Sequence, residues 1–142
     1  RTGTIERVRK QIKEMGIENT TAQAQDKGIT ISLENIQFEA ESAFLTEAEL
    51  RKLRKIAEIL KDFPDNDLLI SGHTALADTA SGRQKLSEQR ASAVADYLAE
   101  LGVKRHEQLF TKGFGAQVPI APNTTEAGKA RNRRVEITIL DK

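Results

Sequence analysis

Apolar residues recur along the chain at two spacings, and the switches between those spacings mark its elements. Ile5, Val8, Ile12 and Met15 fall at three- and four-residue intervals among Arg7, Lys10 and Lys13, which predicts a short amphipathic helix over 4–15 that ends near Gly16. Leu50, Leu53, Ile56, Ala57, Ile59 and Leu60 make a second stripe. Thr46 to Glu49 spells a capping box ahead of it, and Pro64 bars continuation, so a helix is predicted from Glu47 to about Asp62. A third stripe, Leu86, Ala93, Val94, Tyr97, Leu98 and Leu101, predicts a long helix over 80–101, with the Thr79 hydroxyl placed to cap its start.

Period-two alternation appears twice. Ile29, Ile31 and Leu33 alternate with Thr30 and Ser32, and Val135, Ile137 and Ile139 with Glu136 and Thr138, so each run predicts a strand with one buried face. Thr20 to Gln25 precedes the first run across Gln25-Asp26-Lys27-Gly28, residues a tight turn prefers, and the two segments read as a hairpin. Leu68-Leu69-Ile70, stopped by Gly72, and Leu109 to Thr111 predict two more strands. Phe38 and Leu45 are core anchors flanking the segment 39–44. Residues 121–132, rich in Ala, Thr, Asn and Gly and without periodic apolar positions, read as a long surface loop.

Strands and helices thus alternate through the middle of the chain. The expected fold is α+β, an α/β sandwich in which two main helices, 47–62 and 80–101, pack on one face of a mixed sheet that includes strands 29–36, 67–72 and 133–140. With 142 residues, no internal repeat and no low-complexity linker, one domain is expected. In it residues 1–28 supply an N-terminal helix and the first hairpin strand, and 29–142 the main body.

Composition changes this picture little. Charged residues make up 30% of the chain but nearly cancel to +1, leaving no net field to recruit nucleic acid or an anionic membrane. Without cysteine there is no disulfide, which fits either redox compartment. No apolar run approaches the ~18 residues of a membrane span, and no signal peptide is visible. The chain begins at Arg1 rather than methionine, as a fragment or processed form would, with any anchor or targeting segment lying outside it.

Candidate chemistry concentrates after the strand at 68–70. Arg90 lies one turn from both Leu86 and Val94, on the protein side of its helix, and Arg83 projects from nearly the same side two turns earlier. A planar cation held there requires a carboxylate, a phosphate or backbone carbonyls. For Arg90 an internal carboxylate or loop carbonyls are as reasonable as a ligand. Arg133 and Arg134 are neighbours in a strand, so at most one faces such a site and the other is expected to be a solvated edge residue. His73 reads as packing beside the strand end, since His106 has no ligand-like spacing with it and no metal site is expected. Gly113 and Gly115 lack a third glycine and a helix start, so no dinucleotide cofactor is implied. Arg51, Lys52, Arg54 and Lys55 interleave with Glu47, Glu49 and Glu58 as a solvated face. No serine or cysteine is partnered for nucleophilic catalysis.

Gly72-His73-Thr74, Leu86-Ser87-Glu88-Gln89-Arg90-Ala91, Tyr97-Leu98 and Asn132-Arg133-Arg134-Val135-Glu136-Ile137 together resemble the signature of OmpA-like C-terminal domains. That family includes the peptidoglycan-associated lipoprotein and the periplasmic part of the flagellar stator protein MotB. The resemblance covers about the last three quarters of the chain. It implies a βαβαβ core, a periplasmic setting in a cell-envelope or outer-membrane-associated protein, and noncovalent binding of the diaminopimelate in the peptidoglycan stem peptide. It implies no enzymatic activity and no cofactor. Arg90 matches the arginine that holds the diamino acid's carboxylate. The family reads Gly-His-Thr-Asp, its aspartate pairing with the ligand's ammonium, whereas this chain has Ala75 there. Arg83 stands where the family has asparagine, and Asp78 is a carboxylate three residues from position 75.

Three functions are expected on these grounds. One is a cell-wall binding domain acting through Arg90, the backbone at Thr74 and Ala75, and one of Arg133 or Arg134. Another is a fold that has lost this ligand and serves as an oligomerisation or protein-interaction module. The last is altered specificity, with Ala75, Asp78 and Arg83 suited to a different diamino acid.

Overall fold

The computed structural model describes residues 2–39, 42–77 and 79–142. Its elements run α1 (Thr2–Glu14), β1 (Thr20–Gln25), β2 (Gly28–Glu34), α2 (Glu47–Leu60), β3 (Leu68–His73), α3 (Ala80–Glu100), β4 (Leu109–Gly113), α4 (Glu126–Asn132) and β5 (Arg134–Leu140). The strands form one sheet in the order β1-β2-β5-β3-β4, antiparallel except for the parallel pair β3–β4 that α3 connects.

Register explains the layering. Ile31, Ile137 and Ile70 are lateral neighbours across β2, β5 and β3, so their side chains stand on the same face, and Leu33, Val135, Leu68 and Ile139 extend that apolar surface. Against it lie Leu53, Ile56, Ile59 and Leu60 of α2 and Ala91, Val94 and Leu98 of α3, all nearly inaccessible to water. Both long helices therefore cover the same face, as predicted, but the buried stripe of α3 is Ser87, Ala91, Val94, Ala95 and Leu98, so that of its predicted stripe Val94 and Leu98 are buried and Leu101 is exposed. Ile5, Val8 and Ile12 of α1 join this core. Burying a side chain of that size is worth roughly 1.5–3 kcal/mol.

Three expectations need correction. The alternation in β2 predicts one buried face, yet Thr30 and Ser32 are buried as well. The strand lies between β1 and β5, and its small polar side chains are walled by their neighbours; the Thr30 and Thr138 hydroxyls share a 2.8 Å hydrogen bond. Residues 121–132 are not all loop, because α4 forms with Thr125 as its cap, the hydroxyl accepting from Gly128 N at 2.9 Å. This helix has no apolar stripe to announce it. It is held instead by Asn132, whose side chain accepts from Ile120 N at 2.7 Å and donates to Ala121 O at 2.8 Å. The capping box at α2 is half formed. Thr46 accepts from Glu49 N at 3.4 Å, but the buried Glu49 carboxylate accepts from Gln37 N at 3.2 Å rather than reaching back to Thr46. Beyond these corrections, a 3₁₀ turn at His106–Gln108, which no sequence signal predicts, leads into β4.

Candidate functional site

The segment after β3, the first three turns of α3 and the length of α4 with its C-cap converge on a cavity of about 350 Å³. Its position is set by two local constraints. At Gly72, in β3, a Cβ would lie 2.1 Å from Ser87 O, so only glycine lets α3 descend onto the strand at that level. The start of α3 is set by Thr79, whose hydroxyl accepts from Gly82 N at 3.0 Å. These contacts fix where the helix carries its arginines.

Both Arg83 and Arg90 line the cavity, as their helical phase implies. Arg83 donates from Nη1 to Ala77 O at 2.9 Å. Arg90 Nε donates to Ser42 O at 3.0 Å, and the guanidinium sits 4.5 Å from the centroid of the Phe38 ring. Part of the loop-carbonyl alternative is therefore realised, and the same side chain still borders the cavity. Phe38 and Leu45 bridge as an antiparallel pair, which holds Phe38 under the Arg90 guanidinium.

Thr74 and Ala75 line the cavity from the strand side. The Thr74 N–H is not available to a ligand, since it donates to Gly115 O at 2.8 Å. Its hydroxyl, in contrast, is buried and has no hydrogen-bond partner among the described residues. Ala75 is buried rather than set in an exposed loop. Asp78 lies outside the described residues.

The adjacent arginines separate. Arg133 is the C-cap residue of α4 rather than a strand residue; it lines the cavity, and its guanidinium makes no hydrogen bond or ion pair among the described residues. Arg134 is not a solvated edge residue. It is 1% exposed on the sheet face away from the helices, with Nε 2.7 Å from Glu136 Oε2 and Nη2 donating to Val118 O at 2.9 Å. A full charge is tolerated there because carboxylate and carbonyl oxygens surround it.

His73 belongs to that second environment. Its ring stacks on Phe114 at 5.1 Å between centroids, and Nε2 lies 3.3 Å from Ser71 Oγ. Burial, aided by the Arg134 charge, lowers its pKa to about 3, so the ring is neutral and Glu136 at 3.9 Å is no ion-pair partner at ordinary pH. Among the described residues no three His, Asp or Glu side chains group closely enough to hold a metal, and no helix is long and apolar enough to cross a membrane.

Two charged lining residues were not found from sequence, Glu126 and Lys129, whose side chains pair at 3.3 Å. The available signal was a local one: Thr125 three residues before Gly128 is a hydroxyl at N-cap spacing, and a short helix there brings the following basic residues round to α3. The lining thus carries four cations, Arg83, Arg90, Lys129 and Arg133, against one carboxylate, Glu126, among the described residues. Planar guanidinia in such a lining have the geometry to accept a carboxylate in a forked pair.

Fold and site together define an α+β binding domain with a cationic cavity at one end of its sheet. The chain belongs to the OmpA family, whose profile matches residues 37–133. It is 39% identical over 105 residues to the probable lipoprotein YiaD of Escherichia coli K12, an overlap covering 74% of this chain and 48% of that protein. It is 40% identical over 104 residues to the peptidoglycan-binding protein ArfA of Mycobacterium tuberculosis, covering 73% and 32% respectively. The chain thus spans about a third to a half of these relatives. Among solved structures, the periplasmic domain of Helicobacter pylori MotB superposes with a TM-score of 0.78 at 26% identity, covering 90% of this chain and 83% of that one.

Proposed function

We propose that this chain is a noncatalytic peptidoglycan-binding domain that places a cell-envelope protein against the wall in the periplasm. The cavity carries the reading, because Arg90 and Arg133 both line it in a member of the OmpA family. A relative named for peptidoglycan binding, another named as a lipoprotein and a periplasmic structural neighbour support it. In this reading the stem peptide's diamino acid enters between α3 and α4. Arg90, already oriented by Ser42 and Phe38, and Arg133 receive its carboxylate. Ligand binding is the whole activity, and cleavage of the wall is not part of it.

A second reading has one observation in its favour: this chain has Ala75 where the Gly-His-Thr-Asp pattern it resembles has the aspartate expected to pair with the ligand's ammonium. In that case the domain is an interaction module that keeps the fold without the ligand, or its cavity prefers another diamino acid. Calorimetric titration with muropeptides carrying diaminopimelate, lysine or ornithine separates these. Saturable one-to-one binding of the diaminopimelate form supports wall binding, and preference for another form supports altered specificity. No heat with any of them favours the interaction module.

A further inference from the structure

Among the described lining residues of the cavity, Arg83, Arg90, Lys129 and Arg133 are cationic and Glu126 alone carries a carboxylate that could receive an ammonium group. We infer that Glu126 is the specificity-determining acceptor for the ammonium group of the bound diamino acid, taking the role that Ala75 cannot fill; the inference rests on the wall-binding reading above.

Three observations support it. Glu126 is the first residue of α4, and the backbone there is firmly placed. Thr125 caps the helix at 2.9 Å, Asn132 ties its far end to Ile120 and Ala121, and at Gly128 a Cβ would lie 1.8 Å from Pro122 O, so the helix is pressed against the preceding loop. The carboxylate's present partner is Lys129, in an exposed pair three residues apart at 3.3 Å. Exposed pairs of this kind are worth little, so a ligand ammonium can replace that lysine at small cost. Glu126 lines the same cavity as Arg90 but opens α4, whose C-cap is Arg133, so a zwitterion can place its carboxylate at Arg90 and Arg133 and its ammonium at the first turn of α4.

The test compares one diaminopimelate muropeptide with its free side-chain amine and the same molecule N-acetylated there, titrated into the full chain and its variants by calorimetry. The natural chain should prefer the free amine by about fivefold, the scale of an exposed ion pair. Glu126→Gln should erase that preference while retaining affinity for the acetylated ligand. Arg90→Ala should weaken both ligands together, with circular dichroism reporting the intact fold. If Arg90→Ala weakens binding but Glu126→Gln leaves the preference unchanged, wall binding stands and the assignment of Glu126 is overturned. Loss of the preference in Asp78→Asn, with Glu126→Gln unaffected, overturns it in favour of the loop carboxylate. A natural chain that binds neither ligand sinks the wall-binding reading and this inference with it.

Discussion

Arg133 and Arg134 are consecutive, carry the same charge and occupy opposite sides of the molecule. Arg133, at the end of α4, faces the cavity with no partner among the described residues. Arg134, the first residue of β5, is buried on the helix-free face beside Glu136, Val118 O and the neutral His73. The break in backbone geometry between helix cap and strand separates them, and it divides their labour. A buried cation surrounded by fixed acceptors contributes to the integrity of the fold, because removing it leaves those acceptors desolvated and unpaired. An unpartnered cation at a cavity adds little to folding and remains available to a ligand.

The largest effect expected from this contrast is on stability. Arg134→Met should lower unfolding free energy by about 3 kcal/mol, since it strands Glu136 and the Val118 carbonyl. A denaturant midpoint unchanged from the natural chain would erase the distinction between the two arginines.

Next in size is a pH effect from the same face. His73 has a folded pKa near 3 against 6.5 for the ordinary side chain. Below 6.5 the unfolded chain takes up a proton that the folded one refuses. Its contribution is therefore complete above pH 6.5 and declines as the pH falls toward 3, with a loss of roughly 2 kcal/mol by pH 5. Chemical denaturation at pH 7 and pH 5 measures it, and His73→Gln should flatten the difference. Arg134 and Glu136 face the same ring, so the slope should also change in Arg134→Met.

Arg133→Ala sharpens the other half of the comparison. Its stability should stay within about 0.5 kcal/mol of the natural chain, while affinity for a diaminopimelate muropeptide should fall about tenfold, the cost of one charge-assisted hydrogen bond. A variant that unfolds early but binds normally would assign Arg133 to the fold instead.

The smallest effect is at Ala75. Ala75→Asp should strengthen binding by about 1 kcal/mol and should restore the free-amine preference in a Glu126→Gln background. Because Ala75 is buried, the substitution should also lower stability by about 1 kcal/mol. Unchanged affinity in a folded variant would show that position 75 is remote from the ligand's ammonium.

Much of this was legible in the sequence, for reasons visible in the packing. The stripes of α1 and α2 and the alternation of β2 and β5 could be read because burial on one apolar core dictates the spacing of residues, whereas in α3, whose buried face is made largely of Ser and Ala, the larger apolar residues drew the stripe partly off that face. Arg83 and Arg90 could be placed toward the protein by helical phase alone. What escaped was set by polar contacts between distant segments. The helix at Glu126–Asn132 depends on Asn132 gripping Ile120 and Ala121, which leaves no periodic trace. With that helix unseen, Glu126 and Lys129 could not be placed, and Arg133 was assigned to a strand it does not join. Alternation then suggested a solvated neighbour, whereas Arg134 is enclosed by Glu136 and by the loop at Val118. Likewise the Thr74 N–H, which sequence alone leaves open to a ligand, is taken by Gly115 O in the segment that follows the neighbouring parallel strand β4.

The central claim is that one end of the sheet binds the wall and its helix-free face does not. A titration of isotope-labelled chain with a diaminopimelate muropeptide, followed through backbone amide chemical shifts, tests it most directly. The account predicts saturable shifts confined to residues 74–77, 82–90 and 126–133, with Asp26, Lys27, Ser71 and Glu136 silent. Shifts centred on those four residues, or none at millimolar ligand, would contradict it.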